Sequence, residues 1–157
     1  MSSRELKAGD KAPSFTLPTD AGGEISLSQL KGKSVVLYFY PKDDTSGCTA
    51  EAIAFSKDSK AFKTQGAVVV GVSKDSPASH DKFKAKHGLS LVLASDEEIK
   101  TAQAYGVWVE KSMYGRRYMG MERATFLIDD EGVIRRVWRK VKVPGHAAEV
   151  LAAVKAL

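Results

Sequence analysis

Runs of β-branched and aromatic residues recur through the middle of the chain and predict five strands. They span residues 34–40, 67–73, 89–94, 124–129 and 133–141. The first two runs are apolar without interruption, which is typical of strands buried on both faces of a sheet. The last two are joined by a short polar connection that ends in Gly132, so they are predicted to form a hairpin.

A long helical pattern lies between the first two strands, from about residue 46 to residue 63. Its apolar and small residues are spaced four, three, four and three apart, which places them on one helical face. These residues are Cys48, Ala52, Phe55, Ser59 and Phe62. We therefore predict one helix that packs this face against the sheet.

Three further helices are predicted from their start and stop signals. One begins at Ser76-Pro77 and ends at Gly88, because serine caps helices and proline fits the first helical position. Another begins with a capping box at residues 95–98 and ends near residue 106. The last begins at Pro144 and is amphipathic.

Together these elements follow the order β-α-β-α-β-α-β-β-α, and a short pair at residues 15–17 and 24–25 predicts an N-terminal hairpin extension. Alternation of this kind is typical of an α/β fold with a central mixed sheet flanked by helices. With 157 residues and no linker or internal repeat, the chain is predicted to form a single domain over residues 1–157.

The composition excludes disordered, fibrous and membrane-spanning classes of protein. Hydrophobic residues make up 43% of the chain and charged residues 27%. The longest strongly apolar run, residues 35–40, is far shorter than the roughly 20 residues that cross a bilayer. The first seven residues lack the apolar stretch of a secretory signal. A cytoplasmic protein without a membrane partner is expected.

The net positive charge raises the question of nucleic-acid binding. The net charge is +5, and the basic segment 135–142, with Tyr114 and Arg116-Arg117, resembles a surface for single-stranded nucleic acid. A strand whose exposed residues are basic explains the same pattern more simply. No nucleic-acid partner is predicted.

Cys48 is the only cysteine, which excludes an intrachain disulfide and a cysteine-rich zinc site. The three histidines, His80, His87 and His146, show neither metal-ligand nor catalytic-triad spacing. No phosphate-binding glycine loop is present either. We expect neither a metal nor a cofactor.

The surroundings of Cys48 predict chemistry rather than packing alone. The segment 40–48 leaves the first strand at its C-terminal end and enters the long helix, a junction where open α/β sheets bind ligands. Amides in the first turn of a helix stabilise an anion, so a Cys48 thiolate is favoured. Thr45 is placed to donate its hydroxyl to that thiolate or to an oxygen bound beside it, and Pro41 stiffens the loop. The alternative is a buried, unreactive cysteine.

This segment resembles a known signature. The pattern Pro41-x-x-x-Thr45-x-x-Cys48 is similar to that of the peroxiredoxins, and the flanking sequence is similar to the peroxiredoxin Q, or bacterioferritin comigratory protein, subfamily. The resemblance runs from about residue 6 to residue 153 and includes several separate blocks in the same order. These blocks are residues 11–15, 71–77, 122–129 and 137–142.

The resemblance implies a thioredoxin-like fold and the reduction of hydroperoxides. By motif position, Cys48 resembles the peroxidatic cysteine, Thr45 the hydroxyl that orients the peroxide, Pro41 the shield of the site and Arg123 its arginine. Glu51 lies one helical turn after Cys48, where it is placed to pair with Arg123, the alternative being a solvated glutamate.

This chain departs from the family pattern at the residue that reduces the oxidised cysteine. Many members carry a second cysteine five residues after the first, where this chain has Ile53. We therefore expect an external thiol, of the thioredoxin, glutaredoxin or glutathione type, to reduce a Cys48 sulfenic acid. We expect the protein to serve in antioxidant defence. We expect it to be a monomer, with a weak dimer as the alternative. The competing function is a peroxide sensor that uses the same cysteine without turnover.

Overall fold

A five-stranded mixed sheet forms the centre of the computed structural model, which describes residues 5–157. The strands lie in the order β5-β4-β3-β8-β9. Their bounds are β3 Ser34–Phe39, β4 Ala67–Ser73, β5 Val92–Ser95, β8 Ala124–Ile128 and β9 Ile134–Trp138. The predicted strands are thus present, and the mixed α/β architecture is confirmed. Residues 1–4, part of the segment considered for a secretory signal, lie outside the described residues.

Strand β3 lies at the middle of this sheet and pairs with neighbours of both directions. It runs parallel to β4, which runs parallel to β5, and antiparallel to β8. Strands β8 and β9 form the predicted antiparallel hairpin, with a register shift between Leu127 and Ile128. Because β8 is antiparallel, its first residue, Ala124, pairs with Phe39 at the end of β3.

Alternate residues of β3 supply two hydrophobic cores, one on each face of the sheet. Val35, Leu37 and Phe39 point into one core, and Val36 and Tyr38 point into the other. All five side chains are at most 1% exposed. This burial on both faces explains why the strand is apolar without interruption.

In the part of the chain that the structure describes, five α-helices flank the sheet. They are α1 Ser46–Lys57, α2 Ser59–Thr64, α3 Pro77–His87, α4 Lys100–Ala104 and α5 His146–Lys155. Residues of α1, α2, α3 and α5 belong to the core on one face, and α4 belongs to the other. Within the described residues, no helix is both long enough and apolar enough to span a membrane.

The prediction of one helix over residues 46–63 is wrong, because the chain divides into α1 and α2 at Asp58. The Asp58 amide donates to the Phe55 carbonyl, a tighter i→i−3 bond that ends the first helix. The predicted apolar face still packs into the core across both helices, since Phe55 and Phe62 are both buried.

Among the other helices, one begins at a clearly different residue from the one predicted. Helix α3 begins and ends as predicted, with the Ser79 amide donating to the Ser76 hydroxyl. The predicted capping box at residues 95–98 is wrong, because Ser95 still belongs to β5 and α4 begins only at Lys100. The carboxylate of Asp96 accepts hydrogen bonds from amides at the start of this helix instead.

Two hairpins complete the fold. Strands β1 (Thr16–Pro18) and β2 (Glu24–Ser26) form the predicted N-terminal hairpin within one residue. Strands β6 (Trp108–Met113) and β7 (Arg116–Met121) form a second hairpin that the sequence did not predict. Its turn has positive φ at both Tyr114 and Gly115, which matches the twist of a two-residue hairpin.

Candidate active site

Cys48 is the third residue of α1 and its side chain is only 2% exposed. The Thr49 amide donates to the Thr45 carbonyl, so the amides of the first three helical residues precede this bond and are directed towards the end of the helix. Cys48 therefore lies where backbone dipoles favour an anion, on the side of α1 that packs on the sheet.

Arg123 reaches Cys48 from the other half of the chain. It immediately precedes β8, and the antiparallel register brings the start of β8 beside the end of β3. Its Nη2 atom donates to Cys48 Sγ over 3.3 Å. Its Nη1 atom donates to Glu51 Oε1 over 2.7 Å. One guanidinium thus contacts both the sulfur and the carboxylate.

Glu51 is buried, with 1% of its surface exposed, and its second oxygen, Oε2, has no hydrogen-bond partner among residues 5–157. Burial raises the pKa of Glu51 to about 7, against the opposing effect of the Arg123 charge. For Arg123, burial disfavours the charge, but Glu51 and Cys48 outweigh it and raise the guanidinium pKa above its ordinary value. The solvated glutamate considered as the alternative is not what the structure contains.

Gly47 makes room for this guanidinium, a role that nothing in the sequence indicated. A Cβ atom at this position would lie 3.1 Å from Arg123 Nη2. Such a distance is tighter than ordinary van der Waals contact, so a side chain would press on the arginine. The glycine is needed for close approach rather than for an unusual backbone angle.

The other two predicted residues lie in the loop before α1. Thr45 is exposed and its hydroxyl donates to the Lys42 carbonyl over 2.9 Å, not to Cys48. In this structure the single hydroxyl proton of Thr45 is used in the bond to the Lys42 carbonyl and is not donated to Cys48, while donation to an oxygen bound beside the sulfur stays a prediction. The lone pairs of the hydroxyl are left as acceptors. Pro41 is half-buried directly after β3.

Tyr38 and Lys111 also lie in the electrostatic surroundings of Cys48, and sequence reasoning missed both. Burial, followed by the charges of Glu51 and Cys48, raises the pKa of Tyr38. Burial and the Arg123 charge lower the pKa of Lys111. Tyr38 was indistinguishable from other apolar strand residues, and Lys111 belongs to the hairpin that was not predicted.

The donor set gives no metal centre. Across residues 5–157, no three histidine, cysteine or carboxylate side chains are grouped closely enough to hold an ion. What the site offers is a buried sulfur at a helix N-terminus, one fixed guanidinium and one carboxylate. This arrangement suits a nucleophilic thiolate whose reaction develops negative charge.

Comparison with known proteins agrees with this chemistry. Residues 8–137 match the model of the AhpC/TSA family. A putative peroxiredoxin bcp of Coxiella burnetii is 54% identical over 146 residues, which cover 93% of this chain and 97% of that protein. Peroxiredoxin Bcp of Bacillus subtilis is 50% identical over 150 residues, 96% of each chain.

Solved structures agree as well. Peroxiredoxin Q of Xanthomonas campestris superposes with a TM-score of 0.88 at 42% identity, covering 99% of this chain and 98% of that one. A Xylella fastidiosa PrxQ mutant gives a TM-score of 0.92 at 40% identity, covering 98% of each chain. These likenesses confirm the thioredoxin-like fold. The chain therefore belongs to the AhpC/TSA family as a peroxiredoxin of the peroxiredoxin Q/Bcp group, a thiol-dependent peroxidase.

Proposed function

We propose that Cys48 is the peroxidatic cysteine and that it reduces both hydrogen peroxide and organic hydroperoxides through a sulfenic acid. The observation that carries the proposal is the 3.3 Å contact between Arg123 Nη2 and Cys48 Sγ at the first turn of α1. A cation and a helix N-terminus together stabilise the thiolate, which is the nucleophilic form of cysteine.

In the first step the Cys48 thiolate attacks the terminal oxygen of the hydroperoxide. The S–O bond forms as the O–O bond breaks, so sulfur is oxidised to sulfenic acid and the departing oxygen leaves as water or an alcohol after taking up a proton. Negative charge develops on that departing oxygen. Arg123, held at 2.7 Å by Glu51, supplies a donor that does not need to reorganise.

Thr45 and Pro41 are assigned supporting roles at the same end of the helix. The Thr45 hydroxyl donates to Lys42, so we assign it the role of acceptor for the hydroperoxide O–H rather than donor to sulfur. Pro41 contributes no N–H donor and limits the freedom of the loop between β3 and α1.

An external thiol then completes the cycle. Its sulfur attacks the sulfenic acid, releasing water and forming a mixed disulfide, and a second thiol regenerates Cys48 as the donor is oxidised to its own disulfide. The single cysteine of the chain supports this scheme, because no internal thiol is present to resolve the sulfenic acid. The reductant is of the thioredoxin, glutaredoxin or glutathione type, and the working unit is a monomer in the cytoplasm.

The breadth of the peroxide substrate has support from a relative. Structures of a trapped intermediate and ligand complex concern the alkyl peroxide reduction activity of the Xanthomonas campestris bacterioferritin comigratory protein. This chain is 41% identical to that protein over nearly its whole length. We propose that it likewise accepts organic hydroperoxides.

The test is peroxide consumption with each of the three classes of thiol donor, comparing hydrogen peroxide with an organic hydroperoxide. The expected result is many equivalents consumed per chain in the unaltered protein and none in Cys48→Ser, which is nearly isosteric. Substantial donor-dependent turnover by Cys48→Ser would refute the assignment. Consumption that stops after one equivalent with every donor would favour a sensor instead.

A further inference from the structure

We propose that Asp43 and His80 are positioning residues for the peroxide step, because their buried pair fixes the loop that carries Pro41 and Thr45 into α1. Neither residue contacts Cys48 directly. The inference rests on the proposed role of Cys48 and concerns a different part of the molecule, the packing of residues 41–45 against α3.

Asp43 lies in the loop between β3 and α1, yet it is only 7% exposed. Its carboxylate accepts three hydrogen bonds. Tyr40 Oη donates over 2.6 Å, Ser79 Oγ over 2.8 Å, and His80 Nδ1 lies at 2.7 Å. Two of these partners come from α3, so the carboxylate ties the loop to a helix more than 30 residues away in the chain.

His80 is fully buried, and both of its ring nitrogens face acceptors. Nε2 lies 3.0 Å from the Ala94 carbonyl of β5, and Nδ1 lies beside the Asp43 carboxylate. The Ala94 carbonyl can only accept, so Nε2 donates to it, and Nδ1 lies within hydrogen-bond distance of the Asp43 carboxylate. These two contacts fix the ring at both ends.

The loop backbone is held as well. The Asp43 amide donates to Asp75 Oδ2 over 2.8 Å, and Asp75 itself accepts from the Ser73 hydroxyl. The next residue, Asp44, has a positive φ of 60° and pairs at the surface with Lys86 and His87 of α3. A non-glycine residue in that conformation persists only when its surroundings hold it there.

Two residues after Asp43, Thr45 is the N-cap residue of α1, and Cys48 lies in the first turn of that helix. The Asp43–His80 pair therefore sets where the Thr45 hydroxyl oxygen lies relative to the sulfur. A displacement of about 1 Å in such a group costs roughly 100-fold in rate.

The test uses Asp43→Ala, which removes all three bonds, Asp43→Asn, which keeps the shape but replaces one accepting oxygen with an NH2 donor, and Ser79→Ala, which removes one bond. For each folded variant we measure the second-order rate constant of Cys48 with hydrogen peroxide and, separately, with iodoacetamide. Iodoacetamide alkylates the thiolate without needing a placed peroxide-binding turn. Thermal unfolding gives the stability of each variant.

We expect Asp43→Ala to slow the peroxide reaction by about 10- to 100-fold while alkylation is unchanged or faster, because a looser turn exposes the sulfur. Asp43→Asn should recover part of the peroxide rate, because one accepting oxygen remains. Ser79→Ala should lose a smaller part, and it decides the question if Asp43→Ala does not fold. Lys82→Gln is the matched control on the same helix, since Lys82 is exposed and takes no part in holding the loop, and it should leave both rates unchanged.

Two outcomes overturn the proposal. Either the peroxide rate stays within about twofold in the folded variants while only their stability falls, or peroxide and iodoacetamide rates fall in proportion. The first would make the pair purely structural, and the second would mean that thiolate reactivity, not placement, was lost. Slow peroxide reaction of the unaltered protein would instead count against the proposed role of Cys48.

Discussion

Arg123 donates from Nη2 to Cys48 Sγ over 3.3 Å, although the two residues lie 75 positions apart in the chain. The contact depends on the antiparallel pairing of β8 with β3, which places the residue before Ala124 at the same sheet edge as the start of α1. The other end of the guanidinium is occupied by Glu51. The arginine is thus fixed from two sides before any peroxide arrives.

Arg123→Ala is predicted to slow the reaction of Cys48 with peroxide by roughly 100-fold or more, as expected for the loss of one preorganised donor. Stopped-flow measurement of the peroxide step gives this rate directly. Arg135→Ala is the matched control, because Arg135 is an exposed arginine whose partner is Asp129 on the β8–β9 hairpin. An unchanged rate in Arg123→Ala would show that the contact is not used in the reaction.

Gly47→Ala should slow the peroxide step several-fold without destabilising the protein. The new methyl group would press on Arg123 Nη2 from 3.1 Å, whereas alanine favours a helix over glycine by up to about 1 kcal/mol. Rate and unfolding free energy are therefore expected to change in opposite senses. Ala50→Gly, at an exposed position of the same helix, should show the reverse, a lower stability with an unaltered rate.

Glu51 should make stability depend on pH. Its pKa is raised from 4.5 to about 7, so between these values the folded protein keeps a proton that the unfolded chain has lost. Its contribution to stability therefore falls as the pH rises from about 4.5 to 7 and then levels off. Glu51→Gln cannot titrate, so the unfolding free energy of the variant relative to the unaltered protein should rise by about 1–3 kcal/mol between pH 5 and pH 8.

The comparison is made by urea unfolding of both proteins across that range, which cancels the titration of the histidines common to both. Glu98→Gln is the control, because the Glu98 side chain is 77% exposed and its variant should follow the unaltered protein at every pH. Parallel curves for Glu51→Gln and the unaltered protein would contradict the raised pKa.

Cys48 should be sensitive to overoxidation, since no second cysteine competes for its sulfenic acid. Mass spectrometry after one equivalent of peroxide is expected to find one added oxygen, and after a large excess without donor two or three. Added thiol should prevent the second addition. Accumulation of a stable disulfide-linked dimer through Cys48 would instead indicate that identical chains resolve one another.

Gly71→Ala should destabilise the fold by about 1–3 kcal/mol, because the added Cβ would lie 2.7 Å from Tyr38 Cζ across the β3–β4 pair. Tyr38→Phe serves as the comparison. Its hydroxyl is buried without a hydrogen-bond partner among residues 5–157, so its loss should change stability by less than about 1 kcal/mol. Equal stability of Gly71→Ala and the unaltered protein would mean that the tyrosine moves aside freely.

The strands of the central sheet and the position of Cys48 followed from the sequence alone. Uninterrupted apolar runs specify doubly buried strands, and the serine, proline and glycine around α3 specify its ends. Local signals failed where the contact that decides the structure is distant. Asp96 rather than Ser95 accepts the hydrogen bonds of the amides of α4. Strands β6 and β7 are largely exposed and polar, so they lack the alternation of apolar and polar residues that predicts a strand.

The chemistry divides in the same way. The sequence determined that one cysteine lies in the first turn of a helix that follows a buried strand, because both features are encoded within a few adjacent residues. Only the tertiary structure decided that Arg123 reaches that cysteine, that Glu51 is buried, that Thr45 donates to Lys42, and that His80 binds Asp43. Each of these depends on strand register or helix packing, which bring together residues that no local pattern relates.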